Sequence, residues 1–293
     1  MWIFFTISSA FCFAIVNIVD KYTITKWVRQ PITPVIISGA SSLMGILLVY
    51  LFHGFSILSY FHIFLALIPG IFYALFLILY FKALKIEEVS RVVPLLYLSP
   101  LFVSFLAALF LNEIFTPLKY SGIAFLMTGS ILILSKGFFK VNLGKAFWLI
   151  LLAVFFNAIA GILTKYLLGF ADFWTIFAYR NIGAVILLVP LSIVYFQELT
   201  YTAKKSGKKV IAVIFANNTL ALFALFLSTI AVSIGFVSLV NALSSIQPFF
   251  VLVFTILLGA FYPNILKEEI NKKVIFQKIT AIALMFIGVI LIT

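Results

Sequence analysis

The stretch AIVNIVDKY, residues 14–22, returns in altered form as AIAGILTKY at residues 158–166. The two segments agree at 5 of 9 positions, and each ends a long apolar run with a Lys-Tyr pair. Two further pairs follow in the same order. VSRVVPLLYLSPLFV (89–103) agrees with VSLVNALSSIQPFFV (237–251) at 7 of 15 positions, and IAFLMTGSILI (123–133) agrees with IALMFIGVILI (282–292) at 6 of 11. The shared order and similar spacing indicate a duplication, so we predict two repeats, residues 1–140 and residues 141–293.

The composition excludes a water-soluble protein. The chain is 65% hydrophobic and 10% charged, with a mean hydropathy of +1.27, whereas soluble domains are about half apolar and about a quarter charged. The apolar runs are continuous, which favours membrane helices of roughly 20 residues over barrel strands. We predict an all-α integral membrane protein with ten transmembrane helices, and we interpret the polar stretches around 197–209 and 262–278 as loops. The predicted spans are 2–20, 33–52, 61–84, 90–111, 119–135, 145–168, 174–196, 209–232, 236–261 and 276–292.

The odd number of spans in each repeat determines how the repeats are related. With five spans each, the second repeat enters the membrane from the side opposite to the first, so the repeats are inverted. Inverted repeats are typical of transporters, whose binding site lies near the midplane where the two halves meet.

Basic residues concentrate in the odd-numbered loops of this topology. The even-numbered loops carry Lys119 and Lys165. The positive-inside rule therefore predicts cytoplasmic odd loops and both termini outside, in a multi-pass protein of the cell (inner) membrane. Lipid headgroups and topology account for the positive charge, so we expect the lipid bilayer and a small-molecule substrate as partners and no nucleic acid. The odd-loop residues are Lys21, Lys26, Arg29, Lys82, Lys85, Arg91, Lys136, Lys140, Lys145, Lys204, Lys205, Lys208, Lys209, Lys267, Lys272, Lys273 and Lys278.

Two segments of the first repeat carry a family resemblance. The segment LNEIFTPLKYSGIAFLMTGSILI (111–133) contains Glu113, Gly122 and Gly129 at the spacing of a motif that ends the repeat in a known family. The segment YFKALKIEEVSRVVPLLYLSPLF (80–102) matches a second motif of that family through Tyr80 and Pro100. With its ten spans, the chain resembles the EamA type of the drug/metabolite transporter superfamily. The resemblance implies secondary transport of a small solute such as an amino acid, a sugar nucleotide or a drug.

Polar residues at the end of the first span have two interpretations. Asp20 and Lys21 either snorkel to the membrane interface or form the rim of a cavity, where they pair with each other when that side is closed. Lys165 is the repeat-equivalent of Lys21 and would lie at the opposite mouth. Asn17 lies deeper, and we expect it to face other helices because an amide needs partners in lipid.

Pro100 and Pro248 occupy matched positions in the fourth and ninth spans. Each removes a backbone donor, and the result is either a tolerated kink or a bend that aims Ser99 and Gln247 at a central cavity. Two further polar residues, Tyr97 and Asn241, lie along the same helices and are candidates for the lining.

Arg180 lies about seven residues into the seventh span. It either pairs with a buried acid or backbone carbonyls, or it binds a carboxylate or phosphate of the substrate through its planar fork. Adjacent amides Asn217 and Asn218 interrupt the eighth span; they cannot share one face, so at least one is expected to face the cavity. If Asp20 pairs with Lys21, the remaining charge is positive, and we expect an anionic substrate.

No enzyme motif emerges from the sequence. We find no paired-histidine metal motif and no glycine-rich phosphate loop, and Cys12 is the single cysteine. We therefore expect no catalytic residue, no metal and no cofactor. The prediction is a secondary transporter that works by alternating access. The alternatives are a non-transporting membrane scaffold or sensor and a membrane-bound lipid-modifying enzyme.

Overall fold

The computed structural model describes residues 1–28, 30–86, 95–134, 144–261 and 272–293. It is 87% helical, and these residues contain no strand. A short π-helical turn, Thr23–Trp27, follows the first helix. Five of the basic loop residues named above, Arg29, Arg91, Lys136, Lys140 and Lys267, lie outside the described residues. The helices are α1 (Trp2–Tyr22), α2 (Ile32–Phe52), α3 (Tyr60–Ile86), α4 (Ser99–Phe110), α5 (Pro117–Leu134), α6 (Lys145–Leu167), α7 (Phe173–Val194), α8 (Phe196–Ser206), α9 (Lys208–Ile234), α10 (Val237–Ser244), α11 (Gln247–Phe261) and α12 (Lys272–Ile292).

Long apolar helices confirm an integral, multi-pass membrane protein. In the described part of the chain, seven helical stretches have the length and composition needed to cross a membrane. Many of their side chains are apolar and exposed, for example Leu51, Phe64 and Ile193, as lipid-facing residues should be. The count of ten spans and the inverted repeat remain predictions. The seven stretches are Trp2–Tyr22, Ile32–Phe52, Tyr60–Ala83, Lys145–Leu167, Phe173–Val194, Lys208–Ile234 and Val237–Phe254.

Both prolines of the predicted kinks begin a helix instead of bending one. Pro100 is the second residue of α4, and Pro248 is the second residue of α11. The span predicted at 236–261 is therefore broken between α10 and α11, and the expectation of a bend within one helix is wrong for this span. The physical reason is that proline has the backbone angle of a helix and lacks a donor that the first turn leaves unpaired, so it favours a helix start.

Two backbone hydrogen bonds recur at corresponding positions of the two breaks. At the first, the amide of Leu98 donates to the carbonyl of Leu95 at 3.2 Å, and Leu101 donates to Leu98 at 3.1 Å. At the second, Ile246 donates to Leu243 at 3.0 Å, and Phe249 donates to Ile246 at 2.9 Å. These are i→i−3 bonds, which tighten the chain at helix ends. Corresponding residues of the two breaks are 148 positions apart, the spacing of the sequence match that contains both prolines.

Helices α3 and α7 approach each other through glycine. A Cβ atom on Gly70 would overlap the carbonyl oxygen of Arg180, and one on Gly183 would overlap the carbonyl oxygen of Leu67. Small residues let membrane helices pack backbone to backbone. This contact holds the Arg180 segment of α7 against α3.

Candidate functional site: a central polar cavity

A cavity of about 290 Å³ lies between the helices. Its size is near the lower end of the range for small-molecule sites, about 300–1,000 Å³. Residues from α1, α2, α3, α4, α6, α7, α9, α10 and α11 line it, so both predicted repeats contribute. Ten of the residues named in the sequence analysis line this cavity: Asn17, Asp20, Tyr80, Tyr97, Ser99, Pro100, Arg180, Asn218, Asn241 and Gln247.

Asp20 links α1 to α9. Its Oδ1 accepts a hydrogen bond of 2.8 Å from Nδ2 of Asn217, which also lies 3.5 Å from the carbonyl oxygen of Val16. Lys21 is exposed and is not among the cavity-lining residues. The structure thus shows Asp20 accepting a hydrogen bond from an amide on another helix. A carboxylate near the end of an apolar helix gains from such a donor because it is partly removed from water.

Of the two adjacent amides, Asn218 lines the cavity and Asn217 does not. Asn217 is buried in the contact between α1 and α9, while Nδ2 of Asn218 donates to the carbonyl oxygen of Pro34 at 3.0 Å. Neighbouring residues on a helix point about 100° apart, which explains the division. Asn218 is thus the amide of this pair that lines the cavity, and Asn217 reaches it through Asp20.

Arg180 has a side chain that is only 9% exposed, and it lines the cavity. Its Cζ lies 5.5 Å from the centre of the Tyr73 ring, a cation–π distance. The Nε atom is buried and has no hydrogen-bond partner among the described residues. The same part of the chain shows no buried acid paired with it, so the sequence interpretation of Arg180 as one half of an ion pair has no support there. A buried guanidinium with an unused donor is suited to bind an anionic group that enters the cavity.

The two helix breaks also present unpaired polar atoms. Ser99 Oγ and Asn241 Oδ1 are buried without a hydrogen-bond partner in the described structure, and both residues line the cavity. Each unpaired buried group costs about 1–3 kcal/mol, so water or a ligand is needed to satisfy it. The breaks thus bring hydrogen-bonding groups from corresponding segments of both predicted repeats to one space.

Lys165 binds the end of a neighbouring helix. Its Nζ donates to the carbonyl oxygens of Val232 at 2.8 Å and Gly235 at 2.7 Å, at the end of α9. A cation is favourable at a helix C-terminus, where carbonyl groups lack partners. Lys165 does not line the cavity, and in this structure it caps α9.

An aromatic face of α3 was missed by the sequence reasoning. Tyr73, Phe76 and Tyr80 line the cavity at helical spacing, and the rings of Phe76 and Tyr80 are stacked with centres 5.9 Å apart. The positions i, i+3 and i+7 are the signal that could have revealed this face. Ser41 on α2 also lines the cavity with a buried, unpaired Oγ.

The comparisons agree with this architecture. Residues 1–135 match the EamA-like transporter family. The resemblance to EamA-type members of the drug/metabolite transporter superfamily is thus confirmed through this part of the chain. A solved structure titled only "Crystal structure of protein" has a TM-score of 0.72 and 14% sequence identity, and the match covers 100% of this chain and 95% of that chain. At this identity the likeness concerns the fold alone. The comparison with curated proteins finds no match.

Proposed function

We propose that the protein is a secondary carrier that moves a small solute through the central cavity by alternating access. The family match of residues 1–135 supports a membrane transporter. The observation that carries the proposal is the cavity itself, which is lined by Arg180, Ser99 and Asn241; each of these residues has a buried polar atom without a hydrogen-bond partner in the described structure. A scaffold would not need these groups to be left without partners.

The proposed architecture has ten spans in two inverted repeats, residues 1–140 and residues 141–293. Two backbone hydrogen bonds that recur at the two helix breaks, 148 residues apart, support it. The family match ends at residue 135, close to the proposed boundary. In this arrangement the breaks lie at corresponding positions of the two halves, where inverted-repeat transporters bind their substrates. The odd loops face the cytoplasm and both termini lie outside the cell membrane.

The proposed substrate carries a carboxylate or a phosphate. Lys21 and Lys165 do not line the cavity, so the proposal rests on Arg180. Guanidinium groups bind such anions with two parallel hydrogen bonds, and a water-poor cavity strengthens the attraction. Asp20, held by Asn217, also lines the cavity and disfavours an anion in its immediate neighbourhood. The anionic group of the substrate is therefore expected beside Arg180 and Tyr73.

The test is transport by proteoliposomes that contain the purified protein. A panel of labelled solutes is compared for wild type, Arg180→Gln and Arg180→Lys. Loss of a charged hydrogen bond is worth about 1.5–3 kcal/mol, so Arg180→Gln should reduce anion transport by about tenfold or more. Arg180→Lys should also be impaired, because the charge remains and the planar fork is lost.

Lys82→Gln is the matched control, since Lys82 is an exposed cation that does not line the cavity. It should transport like wild type. Preferred movement of cations, unchanged in Arg180→Gln, would refute the anionic assignment. If no solute in the panel moves at all, and the cavity variants behave like wild type in cells, the carrier proposal itself fails.

A further inference from the structure

Helix α8 is a short, polar helix between two apolar ones. It joins the ends of two apolar helices that are long enough to span a membrane, α7 and α9. With 11 residues it is too short to cross the bilayer itself. Its position between two spans therefore places it at the level of the lipid headgroups.

One side of α8 is fixed to the protein. Thr202 is buried, Oε1 of Glu198 accepts a hydrogen bond of 2.9 Å from Nε2 of Gln30, and Oγ of Ser206 donates to the carbonyl oxygen of Trp27 at 2.8 Å. Both bonds reach the segment that follows α1. Glu198 is the one acidic residue of α8, and this bond directs it toward the protein.

Exposed positive charge follows at the end of α8 and the start of α9. Lys204 and Lys205 are in the last turn of α8, and Lys208 and Lys209 begin α9; all four are exposed, and we call them the basic stripe. Gly207, with φ +86°, makes the turn between its two pairs of lysines. Tyr201 precedes the stripe on the same face, and Nζ of Lys205 lies 5.7 Å from the centre of the Tyr201 ring.

An apolar collar lies where α7 ends and α8 begins. Ile193, Val194 and Phe196 are 72%, 71% and 58% exposed. Apolar side chains at this level insert among the acyl chains, while lysines reach outward to the phosphates. The apolar collar would therefore contact acyl chains, and the basic stripe would contact the headgroups of the same lipids.

We propose that the basic stripe, together with the apolar collar, binds the headgroups of acidic phospholipids. Four exposed lysines and an inward-facing acid give the charge complementarity. Zwitterionic headgroups carry no net charge, so acidic lipids are selected over them. The surface lies outside the cavity, and the proposal does not depend on solute transport. Because α8 is bonded to the segment after α1, the bound lipid also restrains the end of the helix that carries Asp20.

Native mass spectrometry of the full-length protein in detergent tests the proposal. Phosphatidylglycerol and phosphatidylcholine of equal chain length are titrated, and the occupancy of the first bound lipid is measured. Wild type should bind phosphatidylglycerol at least about tenfold more tightly than phosphatidylcholine. Lys204→Gln with Lys205→Gln should reduce this preference several-fold, and the fourfold variant that includes Lys208→Gln and Lys209→Gln should abolish it.

The matched control is Lys82→Gln with Lys85→Gln, which removes the same charge from two exposed lysines at the end of α3. It should keep the preference. Binding of phosphatidylglycerol to wild type should also weaken as salt rises, a measurement that needs no variant. Excess inorganic phosphate should not displace the lipid, because it lacks the acyl chains that contact the collar. Equal binding of the two lipids to wild type, or an equal loss in the control variant, would overturn the proposal, as would displacement by inorganic phosphate alone.

Discussion

Arg180 is held in place by a residue that has no side chain. The backbone of α7 at Arg180 lies against Gly70 of α3, so closely that a Cβ atom on Gly70 would overlap the Arg180 carbonyl oxygen. The obstacle is backbone, which cannot swing aside as a side chain can. The position of the guanidinium in the cavity therefore depends on the α3–α7 contact as much as on Arg180 itself.

Gly70→Ala should push α3 and α7 apart. Overpacking of this kind costs about 1–3 kcal/mol, so the thermal midpoint in detergent should fall and anion transport should weaken. Gly161→Ala is the control for the thermal midpoint only, because a Cβ there would meet only Cγ2 of Val237 at an ordinary 3.6 Å, whereas Gly161 itself lines the cavity. If both variants unfold at the same temperature as wild type, the close approach does not constrain the helices.

Asp172 gives a pH-dependent prediction outside the membrane spans. It caps α7: its Oδ1 accepts from the amides of Trp174 and Thr175, and its Oδ2 accepts from the Thr175 hydroxyl. Burial raises the pKa of Asp172, but these bonds and nearby His53 outweigh burial, so the pKa lies below its usual 3.8. The charged form is the one that stabilises the fold. Its contribution is complete above the usual pKa and is lost as pH falls through the lowered value.

Asp172→Ala should therefore cost about 1 kcal/mol near neutral pH, the usual value of an N-cap. The difference in thermal midpoint from wild type should stay constant from about pH 7 down to about pH 4 and shrink below that. Ser192→Ala, which removes a hydroxyl bonded to the Val189 carbonyl, should give a difference that does not change with pH. A gap between wild type and Asp172→Ala that widens in acid would contradict the assignment.

At the residue level, polarity within apolar runs identified many of the cavity residues but not their partners. Arg180 and Asn241 interrupt long apolar stretches, and such interruptions are visible in the sequence. Lys165 interrupts one too, yet it caps a neighbouring helix. Which way such a side chain faces depends on the rotation of its helix and on where the next helix ends. Tyr73 was overlooked because aromatic residues are common in this chain.

Among the elements, α10 begins where a carboxylate from the first half of the chain reaches it. Glu113 is only 4% exposed; its two oxygens accept from the amides of Val237 and Ser238 at 3.0 Å, and one also accepts from the Ser238 hydroxyl at 2.8 Å. A negative charge is favourable at a helix N-terminus, where amides lack partners. Lys165 caps the C-terminus of α9, which directly precedes α10. The turn between α9 and α10 therefore has a positive side chain at the end of one helix and a negative side chain at the start of the next.

Glu113→Gln should destabilise the protein by about 1.5–3 kcal/mol, because the amide nitrogen of glutamine faces a donor and the charge is lost. Thermal unfolding in detergent measures the effect. Glu198→Gln is the control, since its Oε1 can still accept the bond from Gln30, and its cost should be smaller. Equal stability of the two variants would show that the carboxylate adds nothing to the start of α10.

The elements themselves could be predicted where hydropathy defines them. The limits of α2, α6 and α7 agree with the predicted spans within a few residues, because an apolar run stops where the chain leaves the lipid. Helix α8 was interpreted as a loop because its composition is polar, and hydropathy does not detect a helix that lies along the surface. The break before Gln247 was missed because proline was expected to kink a continuous helix, although it fits a first turn equally well.

For the whole molecule, the fold follows from composition and from the need to satisfy backbone groups in lipid. A likeness with a TM-score of 0.72 at 14% identity shows how few particular residues the fold requires. The position of the cavity was predictable from the repeat, because matched prolines led to the two breaks that line it. Which solute binds depends on the positions of the side chains in the cavity. The pattern of apolar runs in the sequence does not determine those positions.

The orientation of the whole molecule is a final prediction. Oγ of Ser206 donates a hydrogen bond to the carbonyl oxygen of Trp27. One apolar cluster also brings together Ile24, Ile32, Phe81 and Ala146. The helix ends that adjoin the basic loops therefore lie together at one end of the molecule. At the other end, Nζ of Lys119 donates to the carbonyl oxygen of Ile292 at 3.2 Å, which places the C-terminus beside an even-numbered loop. The positive-inside rule then puts the C-terminus outside.

Alkaline phosphatase, which is active only outside the cytoplasm, should therefore be active when it is fused after Thr293. A fluorescent protein that matures only in the cytoplasm should be dark at the same site. The control fusions end at Ser206, beside the basic stripe, and the two reporters should give the reverse pattern there. The opposite orientation would be required if the phosphatase were inactive and the fluorescent protein bright after Thr293, while after Ser206 the phosphatase were active and the fluorescent protein dark. The lysines at the end of the molecule that carries α8 would then lie outside, against the charge rule that places them in the cytoplasm.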